Sequence, residues 1–186
     1  MLVLIIGYRY QRRRGIFILV IQAQPFFRKE KGLTRAILGG WEISGITRYQ
    51  SGAPLTVTGT TSIGGRRADY IDGVDPYVPE DQRGTLVPGS IMWLNPAAFA
   101  VAPDGRRGNS TRGQFRGPGY AMWDVSLRKQ FPIKGSIRAQ FQVDMFNIFN
   151  QVNYRSPGTN LSSAGFGSMT SAAPPRNVQI GFRVSF

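Results

Sequence analysis

Polar and apolar residues alternate one by one over several long stretches of this chain. That period of two belongs to β-strands with one wet and one greasy side. In NVQIGFRVSF (177–186), Val178, Ile180, Phe182, Val184 and Phe186 share one face, and Asn177, Gln179, Gly181, Arg183 and Ser185 the other. In AMWDVSLRKQF (121–131), Trp123, Val125 and Leu127 oppose Asp124, Ser126, Arg128 and Gln130. In IRAQFQVDMFNIF (137–149), Ile137, Ala139, Phe141, Val143 and Met145 oppose Arg138, Gln140, Gln142 and Asp144. The segment PIKGS (132–136) between these two strands reads as a short turn punctuated by Pro and Gly, which predicts a hairpin. Upstream, WEISGITRYQ (41–50) sets Trp41, Ile43 and Tyr49 against Glu42, Ser44, Arg48 and Gln50, and is expected to run on weakly through 55–60 after a kink at Gly52–Pro54. IFILVIQAQ (16–24) is a further, more uniformly apolar strand, and the basic link 25–40 has room for a short helical turn. No convincing helix is found elsewhere.

Strands of ten residues or more exceed the usual five or six of globular proteins and match what a tilted strand needs to cross a bilayer. The segment from 61 to 118 has no sustained periodicity and is rich in Gly, Pro, Asp and Arg. So long a loop argues against a compact soluble domain but suits a barrel with short turns on one rim and long loops on the other. With 177–186 descending to the periplasmic rim, 132–136 and 25–40 become periplasmic, and 61–118 and 150–176 external. Trp123 then lies near the outer end of its strand, and Phe131 and Phe186 near the inner ends, as in an aromatic girdle. The same alternation would also serve a secreted β-sandwich, an adhesin or sugar-binding module, in which Phe141 and Val143 would be buried in protein.

Composition removes several chemistries. The sequence has no Cys and no His, so thiolate chemistry, Cys/His zinc sites and imidazole triads are excluded. A net charge of +13, with clusters at Arg12–Arg14, Arg66–Arg67 and Arg106–Arg107, raises nucleic-acid binding as an alternative. Against it, the arginines are scattered over loops, with no basic helix and no aromatic RNA-binding motif; loop arginines could equally meet anionic lipopolysaccharide or substrate. Asp124 and Asp144 would pair across a hairpin centred near Lys134, but lack a supporting catalytic constellation. Asp69, Asp72 and Asp75 lack the spacing and closing Glu of an EF-hand. GRRGNSTRG (105–113) lacks the Gly-Lys-Ser/Thr ending of a phosphate loop. Neither an enzyme nor a cofactor is expected.

From about Arg12 to Phe186 the chain resembles the C-terminal part of the barrel of TonB-dependent receptors, particularly the Oar-like group. The likeness is carried by LGGWEISGITRYQSGAPLTV (38–57), WLNPAAFA (93–100), RGPGYAMWDVSLRKQF (116–131), FNIFNQVNY (146–154), TNLSSAGFGSMTSAAPPRNVQIGF (159–182) and Phe186. Residues 1–11 fall outside it, and RRRG (12–15) departs from the family's usual pattern. The resemblance implies an all-β fold: five or six antiparallel transmembrane strands with long external loops, an incomplete piece of a larger bacterial outer-membrane barrel. It implies substrate uptake powered by the TonB energy-transducing complex through a plug domain that this segment lacks, with outer-membrane lipid and lipopolysaccharide around it. It also implies that the barrel-assembly machinery reads the final strand, through Phe182, Val184 and Phe186. Arg128, Arg138 and Arg183, on the wet faces of neighbouring strands, are expected to form a lumen-facing basic patch toward the plug. No nucleic-acid partner is expected.

Overall fold

A computed structural model describes residues 2–11, 14–23, 39–62, 64–84 and 89–186. Most of the link 25–40, with the helical turn expected there, lies outside the described residues. In chain order the strands are β1 (Leu2–Gln11), β2 (Arg14–Ala23), β3 (Trp41–Gln50), β4 (Pro54–Leu55), β5 (Thr58–Thr61), β6 (Gly64–Arg67), β7 (Asp69–Tyr70), β8 (Ile91–Met92), β9 (Phe99–Ala100), β10 (Phe115–Arg116), β11 (Tyr120–Lys134), β12 (Ile137–Phe146), β13 (Ser168–Met169) and β14 (Asn177–Ser185). Among the described residues, the only helical pieces are two three-residue 3-10 turns, Glu80–Gln82 and Pro96–Ala98.

Six long strands form one antiparallel sheet in the order β1-β2-β3-β11-β12-β14. Ten residues in extended form reach about 33 Å, enough to cross a hydrocarbon layer at a tilt. The sheet is open, with β1 and β14 as its edges. The smallest barrels of this kind need about eight strands, so closing it takes strands beyond these six.

Alternation holds from strand to strand because the register keeps like faces together. Val125 lies opposite Met145, Leu127 opposite Val143, Phe141 opposite Phe182, and Val143 opposite Ile180. Leu127 also faces Ile43 on β3. Among the described residues no second layer covers this apolar face: Ile180 is 71% exposed and Phe182 68%. A soluble sandwich would bury them.

Several expectations need correction. The β11–β12 turn is shorter than 132–136, because β11 runs on to Lys134 and only Gly135 and Ser136 remain. Gly135 has φ +59° whereas Ser136 has no positive φ, the arrangement of a type II′ hairpin with Gly in first place. A register shift between Pro132 and Lys134 absorbs the extra residue. The turn is also centred past Lys134, which sets Asp144 opposite Ser126, so the two carboxylates are not a cross-strand pair. Finally, long and short links do not alternate at the start of the chain. Only residues 12–13 separate β1 from β2, at the end where the long loops lie, and residues 24–40 join β2 to β3 at the other.

The kink after β3 is real, and the ladder survives it. Gln50 pairs with Tyr120, and Pro54 and Leu55 pair with Arg116 and Phe115 in the same register. The Gly117 N–H donates to the Ala53 carbonyl across the gap, at 2.8 Å. A Cβ on Gly52 would lie 1.8 Å from the Gly117 carbonyl oxygen, so only glycine lets the two backbones pass this closely. Past Leu55 the chain leaves this ladder and pairs elsewhere, so 58–60 is not a continuation of the membrane strand.

The long loops are not structureless. They carry most of the buried apolar residues of the described chain: Leu55, Val57, Ala68, Leu94, Ala98, Phe99, Phe115 and Phe166 form one core. Phe99 meets Phe115 edge-on at 4.9 Å and Phe166 at 5.7 Å. The two loops are stitched together through β8 and β13 and by Thr58 N–H to Thr159 O and Leu161 N–H to Thr58 O. The described residues of 51–119 and 150–172 thus build a single folded cap.

Candidate functional site

The polar face of the sheet carries a connected set of side chains. Arg128 on β11 reaches Glu42 on β3 at 3.6 Å and donates through Nε to Gln142 Oε1 on β12 at 3.3 Å. Gln142 donates to both oxygens of Asp144, at 3.0 and 2.8 Å, and Ser126 Oγ donates to Asp144 Oδ1 at 2.6 Å. Gln140 donates to Gln142 Oε1 at 3.2 Å. The groups are half-buried and mutually satisfied, which suits a water-lined wall better than acid–base chemistry.

Arg128, Arg138 and Arg183 all stand on this face, as their register positions require, but they do not act alike. Arg128 is already engaged by Glu42. Arg138 and Arg183 are exposed near the β11–β12 turn, and no side-chain partner for them is found among the described residues. The basic patch therefore narrows to the latter two.

Lys129 departs from the alternation. Alternation puts it on the apolar face, between Leu127 and Phe131, yet it is only 4% exposed. Its ammonium donates to the Gly39 carbonyl at 3.1 Å and lies 4.7 Å from the Trp41 ring centre and 5.2 Å from that of Phe131. A buried cation on a greasy face is tolerated only with such partners, and the snorkelling stem adds apolar cover. Its signal in the sequence is a charge at an apolar-face position, between Leu127 and Phe131 near one strand end.

Aromatic residues gather at both ends of the apolar face. At the loop end Tyr49 packs edge-on against Trp123 at 5.0 Å, and Trp123 against Phe149 at 5.2 Å. At the turn end stand Trp41 and Phe131. Trp123 and Phe131 are separated by about 26 Å of strand, close to the height of an apolar membrane band.

The proposed assembly residues lie on the free edge. Phe182 and Val184 are on β14, whose outer side has no strand partner among the described residues, and Phe186 follows it, almost wholly exposed.

Above β11 and β12, asparagines replace the strand ladder. Asn147 is 2% exposed and sits at φ +52°. Its N–H donates to Asp124 Oδ1, its Oδ1 accepts from Gln151 N–H, and its Nδ2 donates to Gln151 O, each at 2.9 Å. Asn153 exchanges two 2.8 Å bonds with the Ala121 backbone, and Asn150 Oδ1 accepts from Arg176 N–H at 3.0 Å. Asp124 is thus a structural acceptor.

The remaining loop motifs are structural too. Asp69 takes a two-pronged bond from Arg106, at 2.8 and 2.5 Å, and a third from Asn109 N–H at 3.0 Å. These donors, Arg106 first, hold its carboxyl below the usual aspartate range. Asp75 caps Tyr77 N–H at 2.9 Å. Among the described residues no acidic cluster is arranged for a metal ion. In GRRGNSTRG, Asn109 bonds both backbone groups of Tyr70, and Ser110 Oγ donates to Ala68 O at 2.6 Å, so this stretch clamps β7.

An outer membrane beta barrel domain model matches residues 8–179. Neither the curated proteins nor the solved structures give a match. The long alternating strands, the uncovered apolar face with aromatic residues at both ends, and a match over nearly the whole chain agree: the chain belongs to the outer membrane beta barrel domain family and resides in the bacterial outer membrane.

Proposed function

We propose that the chain is the C-terminal part of the barrel of a TonB-dependent receptor of the Oar-like group, serving substrate movement across the outer membrane. The observation that carries this reading is the polar face: a half-buried wall running Glu42–Arg128–Gln142–Asp144, with Arg138 and Arg183 near its inner end. A wet wall with two exposed arginines suits a lumen that receives a polar, acidic plug surface. In this reading the loop end faces outward, the plug couples to the TonB complex, and the barrel-assembly machinery takes hold of β14. The chain is then a transport component and not an enzyme, and its arginines meet protein or lipid and not nucleic acid.

Photo-crosslinking tests the lumen assignment. A benzophenone amino acid introduced at Arg183 is expected to trap protein belonging to a plug domain, identified by mass spectrometry of the adduct. Adducts to lipid alone would overturn it. Orientation is tested separately on intact cells with an impermeant thiol reagent. Glu80→Cys, on an exposed cap loop, is expected to label and Ser136→Cys, in the two-residue turn, is not. Labelling only at position 136 would reverse the orientation.

A further inference from the structure

The loop end of the apolar face carries a second feature besides its rings. Phe149, 68% exposed, stands on Trp123 at the top of the greasy face, and Val152 three residues on is also exposed. Two exposed arginines belong to the same knot of chain. Arg155 follows Tyr154, which bridges antiparallel to Ala172, and its N–H donates to Ser171 O at 2.9 Å. Arg176 has its N–H fixed by Asn150 Oδ1 at 3.0 Å. It precedes β14 by one residue, and the alternation Val178, Ile180, Phe182 continued backward assigns it to the apolar side. Among the described residues neither guanidinium has a side-chain partner. Arg106, by contrast, is consumed by Asp69.

An apolar knuckle on the same knot of chain as two exposed arginines without side-chain partners among the described residues, just above an aromatic girdle, matches one kind of molecule. It must offer acyl chains at the depth of Phe149 and phosphates above them. We infer that Phe149, Val152, Arg155 and Arg176 form a binding site for the phosphorylated glycolipid of the outer leaflet, lipopolysaccharide, through its lipid A phosphates. Arginine favours this ligand because its planar fork meets phosphate oxygens two at a time. The asparagine turn supplies the rigidity, since Asn147 and Asn150 hold the backbone on which the aromatic and Arg176 are mounted. This site rests on the outward orientation of the loop end, and the labelling of Glu80→Cys and Ser136→Cys decides that point independently.

The test compares full-length chains purified in mild detergent from outer membranes, with co-purifying lipid A quantified by mass spectrometry. Arg155→Gln combined with Arg176→Gln is expected to lower bound lipid A roughly fivefold or more, as loss of two charge-assisted contacts implies. Arg155→Lys with Arg176→Lys is expected to retain part of it, and Arg107→Gln, on an exposed cap loop outside the site, to retain all. Equal lipid A in all variants would overturn the site. Heat-modifiable gel mobility identifies any variant that fails to fold, and the unmodified chain then decides. Added to vesicles, it should bind diphosphoryl lipid A several times more strongly than the monophosphoryl form or phosphatidylglycerol. Equal binding to phosphatidylglycerol would mean a generic anionic surface and would refute the glycolipid assignment.

Discussion

Asn147 shows how one polar side chain can end a membrane strand. At φ +52° it bends the backbone, and its amide takes over hydrogen bonds that the ladder no longer supplies. Replacing it by Ala leaves buried partners unsatisfied and strains the turn. The expected loss is about 2–3 kcal/mol, read from the urea midpoint of chains refolded into vesicles. Asn147→Gly should recover about 1 kcal/mol, because glycine accepts a positive φ without penalty. Equal loss in both variants would show that the torsion contributes nothing. None of this is legible in the sequence, since alternation carries 137–149 as one strand and the partners Gln151 and Asp124 are revealed only by the fold. Lys129 was hidden for a related reason: its charge contradicts its face, and the Gly39 carbonyl that resolves the contradiction lies 90 residues away in sequence.

Elements with one lipid side and one wet side were the legible ones. β3, β11, β12 and β14 follow from period two because the bilayer punishes any other order on one face. The turn reads as 132–136 because Pro132 and Gly135 look like its punctuation, whereas the bulge keeps Pro132, Ile133 and Lys134 in β11. The cap escaped notice because its core draws single residues from distant segments, such as Leu55, Phe115 and Phe166, with no shared period. On β14 the proposed assembly role gives a direct test. An extended edge adds to another sheet by backbone hydrogen bonds while alternate side chains set the register. Phe186→Ala is expected to lower the folded, heat-modifiable fraction in outer-membrane extracts without changing synthesis. Ser185→Ala, on the other face, should do much less. Equal folding of both would remove the terminal ring from the signal.

For the whole molecule, stability is divided between a sheet held by its surroundings and a cap held by its own core. Hydrogen exchange should separate them. Arg106→Ala is expected to speed exchange in 67–70 and 105–112 while β11 and β12 keep their protection. Acid should act in the same place. The Asp69 carboxyl titrates below its ordinary value, so its contribution is complete above the unfolded value of about 3.9 and is lost as pH falls through the lower folded value. Cap protection should therefore hold at neutral pH and weaken only below about pH 4, while Asp69→Asn should lower it at neutral pH and flatten this acid response. Uniform loss across sheet and cap would show that they unfold as one body.

The bend at Gly52 and Gly117 sets a rule for how this protein can change length. The ladder keeps its count from Gln50–Tyr120 through to Leu55–Phe115. Inserting one residue in either arm would turn every side chain beyond it to the opposite face, expelling Leu55 or Phe115 from the cap core. Insertions and deletions are therefore confined to the hairpin tips and the outer loops, or must come as matched pairs in both arms. A lineage can redesign what its cap presents to the outside, but the two stalks beneath it must grow or shrink together.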